Sequence, residues 1–313
     1  MKSAQFHGQR EGDIRNMTRY RSAMNHLKRL EVVLTLLICF PTSQLRSQSS
    51  LHFAVIGDYG FAGQPEADVA KLVKSWKPDF IITTGDNNYV DGTDSSIDLN
   101  IGQYFHEFIS PYTGSFGHAD TVNRFFPSLG NHDWRTSGAA PYLKYFTLPG
   151  NERYYDIVRG PVHLFAIDSD EHEVDGMTDS SAQAMWLKKK LSESTATWKI
   201  IYFHHPPYSS GRHGNSPKLQ WPFKKWGATA VIAGHDHTYE RLRVKGLPFF
   251  VNGLGGRSIY NMRTPLTGSR VRYNKDYGAM SVTADSSRIE FRFVTRKDSL
   301  VDVYTIHSTT ERR

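Results

Sequence analysis

From residue 51 onward, short apolar runs alternate with amphipathic ones. LHFAVIG at 51–57 reads as a buried strand. Val69, Leu72, Val73 and Trp76 then recur at helical spacing, with Pro65 near the start and Pro78 as the stop. DFIITTG at 79–85 predicts the next strand, and Ile97, Ile101, Tyr104, Phe105 and Phe108 predict a second helix closed by Pro111. NRFFPSLG at 123–130 predicts an irregular strand, because proline removes a ladder donor. YYDIV and VHLFAIDS flank Arg159-Gly160 and predict a hairpin. Ser180 and Gln183 have capping-box spacing at the head of a helix over 180–193. WKIIYF and ATAVIAG read as further buried strands. After 278, the runs GAMSVTA, RIEFRFV and LVDVYTI lack helical spacing and predict an antiparallel end to a sheet.

Strand–helix alternation followed by a β-rich tail implies an α/β fold, two packed mixed sheets flanked by helices. With no repeat, no low-complexity linker and no break in composition after residue 50, one domain over 49–313 is expected. Its apolar content, 39% over the whole chain, suffices for a sizeable core and excludes global disorder. Five of the seven net positive charges fall within the first 50 residues, so the body is nearly neutral and does not read as a nucleic-acid binder.

Residues 1–48 read differently. Arg10, Arg15, Arg19, Arg21, Lys28 and Arg29 precede the short apolar run VVLTLLICF, and polar residues follow. That order is the n-, h- and c-region pattern of a secretory signal, with Met24 as an alternative start, and predicts a secreted or periplasmic protein. The run is too short to span a bilayer, so no stable membrane anchor is expected. A buried N-terminal helix or strand is the other reading. Cys39, the single cysteine, lies inside this run, and bulky Ile38 before it argues against a lipid-anchored cysteine.

Five apolar strands end in residues of metal-ligand type: GDYG at 57–60, GDNNY at 85–89, GNHD at 130–133, HHPPY at 204–208 and GHDH at 234–237. Each burst alone is ordinary turn chemistry. Five on successive predicted strands, where ligands of open α/β sheets gather, point to a site. Asp, Asn, His and Tyr without sulfur suit hard or borderline metals.

These bursts resemble the calcineurin-like metallophosphoesterase superfamily, over about 52–253, and within it the small single-domain purple (tartrate-resistant type) acid phosphatases. The resemblance implies a four-layer α/β/β/α sandwich. Where the superfamily opens on Asp-x-His, this chain has Asp58-Tyr59-Gly60, and Tyr89 of Gly-Asp-x-x-Tyr stands where purple acid phosphatases supply a phenolate. It implies one metal on Asp58, Asp86, Tyr89 and His237, and a second on Asp86, Asn131, His204 and His235, with Asp86 bridging. A phenolate is a hard anion and suits a trivalent ion, so the expected pair is Fe(III) with divalent Fe, Zn or Mn. The extra β-domain of large plant relatives has no room between the signal and LHFAVIG.

The implied activity is hydrolysis of small phosphate monoesters by a metal-activated hydroxide, with an acidic optimum. His132 is implied to face the phosphate, with Asp133 holding its ring and raising its pKa. His213 matches the position of a histidine that binds phosphate or protonates the leaving alkoxide. His205, after the ligand His204, is expected to face the other side of the strand end, with a phosphate role as the alternative. Asp168 follows a strand and could act in the site, but it is expected to serve a turn or hydrogen-bond a residue of the site. Arg257, in the glycine-rich NGLGGRS, either touches substrate or lies on a surface loop, and Tyr208 and Trp221 either line the pocket near His213 or pack. A phosphodiesterase or nucleotide hydrolase on the same scaffold is the rival enzyme, and a non-catalytic phosphate- or metal-binding protein the rival from another class.

Overall fold

The computed structural model describes residues 50–309; the signal-like segment, Met24 and Cys39 lie outside the described residues. Its architecture is α/β, two mixed sheets packed face to face with helices outside. The first sheet has the order β13-β12-β11-β1-β2-β3. Here β1 is Leu51–Ile56, β2 Phe80–Thr83, β3 Phe125–Pro127, β11 Gly278–Ala284, β12 Arg288–Thr295 and β13 Leu300–His307. The second has the order β10-β8-β9-β7-β6-β5-β4. Its strands are β4 (Tyr155–Arg159), β5 (Val162–Ala166), β6 (Trp198–Tyr202), β7 (Ala230–Ala233), β8 (Tyr239–Val244), β9 (Leu247–Asn252) and β10 (Ser269–Tyr273).

The unbroken apolar strands follow from burial on both faces. In the second sheet Leu164, Ile200, Tyr202, Ile232 and Phe250 point into the core shared with the first sheet. Their neighbours Phe165, Ile201, Phe203, Val231 and Phe249 pack on the other face against Ala184, Leu187 and Leu191. Each such side chain contributes about 1.5–3 kcal/mol through burial. The first sheet is flanked by α1 (Gln64–Ser75), which buries Val69, Ala70, Leu72 and Val73. α2 (Ala182–Glu193) covers the second sheet with Ala184, Leu187 and Leu191.

Three local expectations change. The capping register of α2 moves by one residue: Ser181, not Ser180, accepts from the Ala184 N–H. Gln183 is drawn inward instead, where it exchanges hydrogen bonds with the main chain of Asp168. The helix expected over 97–108 is broken into short turns of differing pitch between 94 and 108, though Ile97, Ile101, Tyr104, Phe105 and Phe108 are all buried as anticipated. Three strands were not anticipated: β8 and β9, which form a hairpin around Lys245 and Gly246, and β10, which pairs with β8. Both turn residues have positive φ, 49° and 79°, as a tight hairpin turn requires.

The parallel strands β1, β2 and β3 of one sheet and β6 and β7 of the other end at a common edge, where the loops carrying all five polar bursts meet.

Candidate metal centre

The bursts are short, and their backbones are bent hard enough to turn side chains inward. Asp58, Asp86 and His235 adopt left-handed conformations, with φ of 55°, 54° and 67°. Such geometry is costly for non-glycine residues and persists where surrounding structure enforces it. At two glycines a side chain would strike the site's own residues. A Cβ at Gly130 would lie 2.3 Å from Oδ1 of Asp86, and one at Gly60 would lie 1.7 Å from the carbonyl oxygen of Asn87. Position 60 therefore has no room for an imidazole in this backbone.

Asp86 is the pivot. Its Oδ2 accepts a hydrogen bond from the Tyr89 hydroxyl at 2.7 Å. The same hydroxyl lies 3.2 Å from Oδ1 of Asp58 and 3.1 Å from Nε2 of His237, which is itself 3.3 Å from Asp58 Oδ1. On the opposite side, Asp86 Oδ1 lies 3.4 Å from Nε2 of His204. That nitrogen is 3.0 Å from Oδ1 of Asn131 and 3.1 Å from Nδ1 of His235. One carboxylate thus faces two donor groups, one oxygen to each. Potential ligand atoms of Asp58, Asp86 and His237 all fall within 4.8 Å of one another, as do those of His204, His205 and His235.

The imidazoles are aimed by their second nitrogens. His204 Nδ1 bonds the Thr84 carbonyl oxygen at 2.8 Å, which leaves Nε2 directed at Asp86. His237 Nδ1 lies 2.6 Å from the Ser258 hydroxyl and turns Nε2 toward Tyr89. Metal-binding histidines are habitually fixed this way. The Thr84 carbonyl carried no recognisable sequence signal; for Ser258 the available hint was its place as the last residue of NGLGGRS.

The electrostatics call for cations. Burial opposes a charge on His204, but Asp86 and Asp58 outweigh it and push the imidazole up to about 10. Burial and the same two carboxylates push the Tyr89 phenol well above its usual range. Buried carboxylates, a phenol and imidazoles facing one another form a donor set that hard or borderline cations satisfy. The residues present fit a pair of metal ions.

The remaining candidates fall as follows. The His132 main-chain N–H donates to Asp86 Oδ1 at 2.9 Å. Its ring tilts over Tyr89 at 4.3 Å, Nδ1 bonds the Val90 carbonyl oxygen, and Nε2 lies 4.0 Å from Asp86 Oδ2. Asp133 does not hold this ring. Its buried carboxylate accepts from the N–H groups of Gly130 and Asn87 and from the Asn87 side chain. Burial, with the charge of Asp86, pushes it up to about 7. The expected rise of the His132 pKa is likewise absent, since burial pushes that ring down. The reason is local: Asp133 opens a tight helical turn, and adjacent residues on a turn point in different directions.

His205 does not turn away. Its ring lies 4.4 Å from that of His235, and Nδ1 is 3.0 Å from the Ser169 hydroxyl. It lines a cavity of about 370 Å³ with Asn131, Asp170 and Glu171. The His213 ring lies 4.2 Å from that of His235, tilted by 37°, and its main-chain N–H donates to Asp236 at 2.7 Å. Asp168 caps its own turn through the Asp170 N–H and accepts from the Trp134 indole at 2.9 Å. Arg257 lies beside the centre, 5.3 Å from the Tyr89 ring. Tyr208 and Trp221 line a different cavity, with Phe223 and Phe249. Among the described residues no helix is long and apolar enough to cross a membrane.

The Calcineurin-like phosphoesterase family model matches residues 51–239. Purple acid phosphatase 17 of Arabidopsis thaliana is 26% identical over 254 residues, which span 71% of this chain and 73% of that protein. Tartrate-resistant acid phosphatase type 5 of Mus musculus is 25% identical over 248 residues, 66% of this chain and 72% of that protein. Among solved structures, the purple acid phosphatase PPD1 from yellow lupin (Lupinus luteus) superposes with a TM-score of 0.69 at 20% identity, over 83% of this chain and 54% of that one. GAP50, the anchor in the inner membrane complex of Plasmodium, superposes with a TM-score of 0.66 at 19% identity, over 84% of this chain and 90% of that one. At these identities the structural neighbours establish the fold alone.

Proposed function

The chain belongs to the calcineurin-like phosphoesterase family, and on that premise we propose that it hydrolyses phosphate monoesters at a dinuclear metal centre, fastest in acid. The observation that carries this reading is the division of the Asp86 carboxylate, with Oδ2 toward Tyr89 and Oδ1 toward His204. Asp58, Asp86, Tyr89 and His237 would hold a ferric ion; Asp86, Asn131, His204 and His235 would hold divalent Fe, Zn or Mn. Such a pair supplies charge for the phosphate oxygens and lowers the pKa of a shared water.

The chain's own residues do the rest. His132 donates its Nδ1–H to the Val90 carbonyl oxygen, so Nε2 is the atom left to face a phosphate oxygen, and it carries a proton there only when the ring is the imidazolium. Asp133 acts through the backbone: its bonds to Gly130 and Asn87 clamp the loop of Asn131 and His132 against the loop of Asp86. Asp236 accepts the N–H groups of His213 and Gly214 and so anchors the loop that presents His213 to the leaving oxygen. His205, held by Ser169, lies 4.4 Å from the His235 ring and lines a cavity with Asn131. The basic-then-apolar order of the first 48 residues supports export of the catalytic domain at 49–313.

The test is purified protein with its metals quantified, a visible absorption scan, and turnover of phenyl phosphate against its diphenyl ester across pH. Two metal equivalents including iron, a visible charge-transfer band and dominant monoester turnover in acid are expected. Dominant diester turnover, or full activity after metal removal, overturns the reading.

A further inference from the structure

The glycines of NGLGGRS bring this segment hard against the Tyr89 side of the centre. A Cβ at Gly255 would lie 2.4 Å from the Gly57 carbonyl oxygen, and one at Gly256 would lie 2.8 Å from Cα of Glu66. The main chain is fastened at that approach. The Gly255 N–H donates to the Gly57 carbonyl oxygen at 2.9 Å, and the Arg257 N–H to that of Asp58 at 3.1 Å. Three residues at or just beyond the end of the segment then meet the proposed ligands. Ser258 bonds His237 Nδ1, Tyr260 stacks on the His237 ring at 4.0 Å with an interplanar angle of 6°, and Arg257 lies over the Tyr89 ring.

Arg257 is the member of this set that the hydrolytic chemistry leaves unused. Its guanidinium lies 4.1 Å from the centroid of the Phe61 ring and 5.3 Å from that of Tyr89, so it spans two aromatic rings. Phe61 is a fixed seat: its N–H faces the Tyr59 carbonyl oxygen at 2.6 Å and Oε2 of Glu66 at 3.1 Å. The Phe61 ring stays 41% exposed, and the guanidinium is what covers part of it. No carboxylate among the described residues pairs with Arg257, and its side chain is only partly exposed. A cation over an aromatic face is attracted by the ring's electrons. The attraction grows when the ring carries an anionic oxygen, and partial burial limits its screening by salt.

We propose that Arg257 acts through Tyr89, as a positioning residue whose fixed charge weakens electron donation from the aryl oxygen to the ferric ion and makes that ion easier to reduce. This rests on the reading of a ferric ion at Tyr89 given above. The charge faces the ring, so it stabilises the aryl electrons most. A visible transition that starts from those electrons then needs more energy. A nearby positive charge also favours the state of the centre that holds one more electron. Arginine suits the place because its flat guanidinium stacks on ring faces and keeps its charge at any working pH.

The experiment compares iron-loaded wild type, Arg257→Met, Arg257→Lys and Phe61→Leu by visible absorption, by metal analysis and by equilibration with one-electron mediator couples, which supply the electron. Arg257→Met should move the charge-transfer band to longer wavelength and lower the ferrous-to-ferric ratio at a fixed potential about threefold, with iron content unchanged. Arg257→Lys should recover part of both effects, since it keeps the charge without the flat stack. Phe61→Leu should shift both in the same direction by less, because the guanidinium then keeps its charge and loses its seat. Equal shifts in Arg257→Met and Arg257→Lys overturn the proposal, since packing and not charge would then act. Loss of iron from Arg257→Met also overturns it and makes the arginine a structural prop. A coloured wild type whose band and ratio are unchanged in Arg257→Met overturns the proposal and leaves the ferric reading intact. A colourless, iron-free wild type overturns both.

Discussion

The Tyr89 hydroxyl lies 2.7 Å from Oδ2 of Asp86, three residues behind it in the chain, at a position where a tyrosine would usually serve packing alone. Both residues are almost wholly buried, and the phenol pKa is driven up by burial and by the carboxylates of Asp86 and Asp58. A phenol so placed keeps its proton until a strong cation arrives. A cation among these oxygens reverses the balance, because the phenolate then becomes the favoured form.

Tyr89→Phe removes one oxygen from the pocket and leaves the ring's packing against His132 in place. The variant should fold and lose the visible charge-transfer band, with its iron content falling and phenyl phosphate turnover falling at least tenfold. Absorption spectroscopy with metal analysis checks this. Unchanged colour and iron content would remove tyrosine from the centre.

Asn131 meets the second donor group through Oδ1, 3.0 Å from His204 Nε2. Asn131→Ala should lower divalent-metal occupancy and activity together, with the ferric band retained, since Asp58, Tyr89 and His237 remain. Metal stoichiometry against turnover checks the pairing. Wild-type activity in this variant would mean that the second ion is held elsewhere.

Ser258 aims His237 through a 2.6 Å contact at Nδ1. Ser258→Ala frees the imidazole to rotate and should weaken metal affinity about 10–100-fold, with Ser258→Thr recovering part of it. Competition with a chelator, followed through the visible band, measures the change. Equal chelator sensitivity in all three proteins would show that the hydroxyl does not orient the ring.

The two sheets are clamped together at Asp302, whose carboxylate on β13 accepts from Tyr239 at 2.8 Å and from Arg241 at 2.7 and 3.1 Å, both on β8. Asp302→Ala leaves a buried phenol and a largely buried guanidinium unpaired, and should cost about 2–4 kcal/mol. Urea unfolding measures it. A loss below about 0.5 kcal/mol would place this pair with ordinary surface ion pairs.

How much of this was legible follows from how each residue acts. The residues gathered at the site announce themselves by type and by position after apolar strands. The same is true of most core strands, because burial on both faces removes polar residues from them; β9, wholly buried, is the exception. What stayed hidden acts through the backbone or across the fold. In GHDHTYER, Tyr239 and Arg241 reach Asp302, while Glu240 holds Ser210 and Ser269; none of these pairings lies within reach along the chain. Asp133 was misassigned because adjacency suggested contact with His132, whereas its oxygens are taken by Gly130 and Asn87. β10 escaped notice because, as an edge strand, it buries no residue fully and carries little apolar signal.

Glu66 offers a test that is independent of metal. It is fully buried in the first turn of α1, where Oε2 accepts the Phe61 N–H at 3.1 Å and Oε1 has no partner among the described residues. Tyr59 and Tyr104 feel its charge, and both are held neutral at physiological pH, their own pKa values raised first by burial. Burial pushes the Glu66 carboxyl well above its ordinary value near 4.5, only partly opposed by the Phe61 hydrogen bond. The sign follows by linkage. Below the ordinary value the acid is neutral in folded and unfolded chains alike, and its environment costs nothing. As pH rises past it, the unfolded chain releases the proton while the folded chain retains it, so stability falls, by up to about 1.4 kcal/mol per pH unit until the folded group ionises. Glu66→Gln has the same shape, can keep the Phe61 bond through its carbonyl oxygen, and does not titrate. Its urea midpoint should match wild type at pH 4 and exceed it at pH 7. Midpoints that differ by the same amount at both pH values would show that the carboxyl is ionised in the folded protein, contrary to its burial.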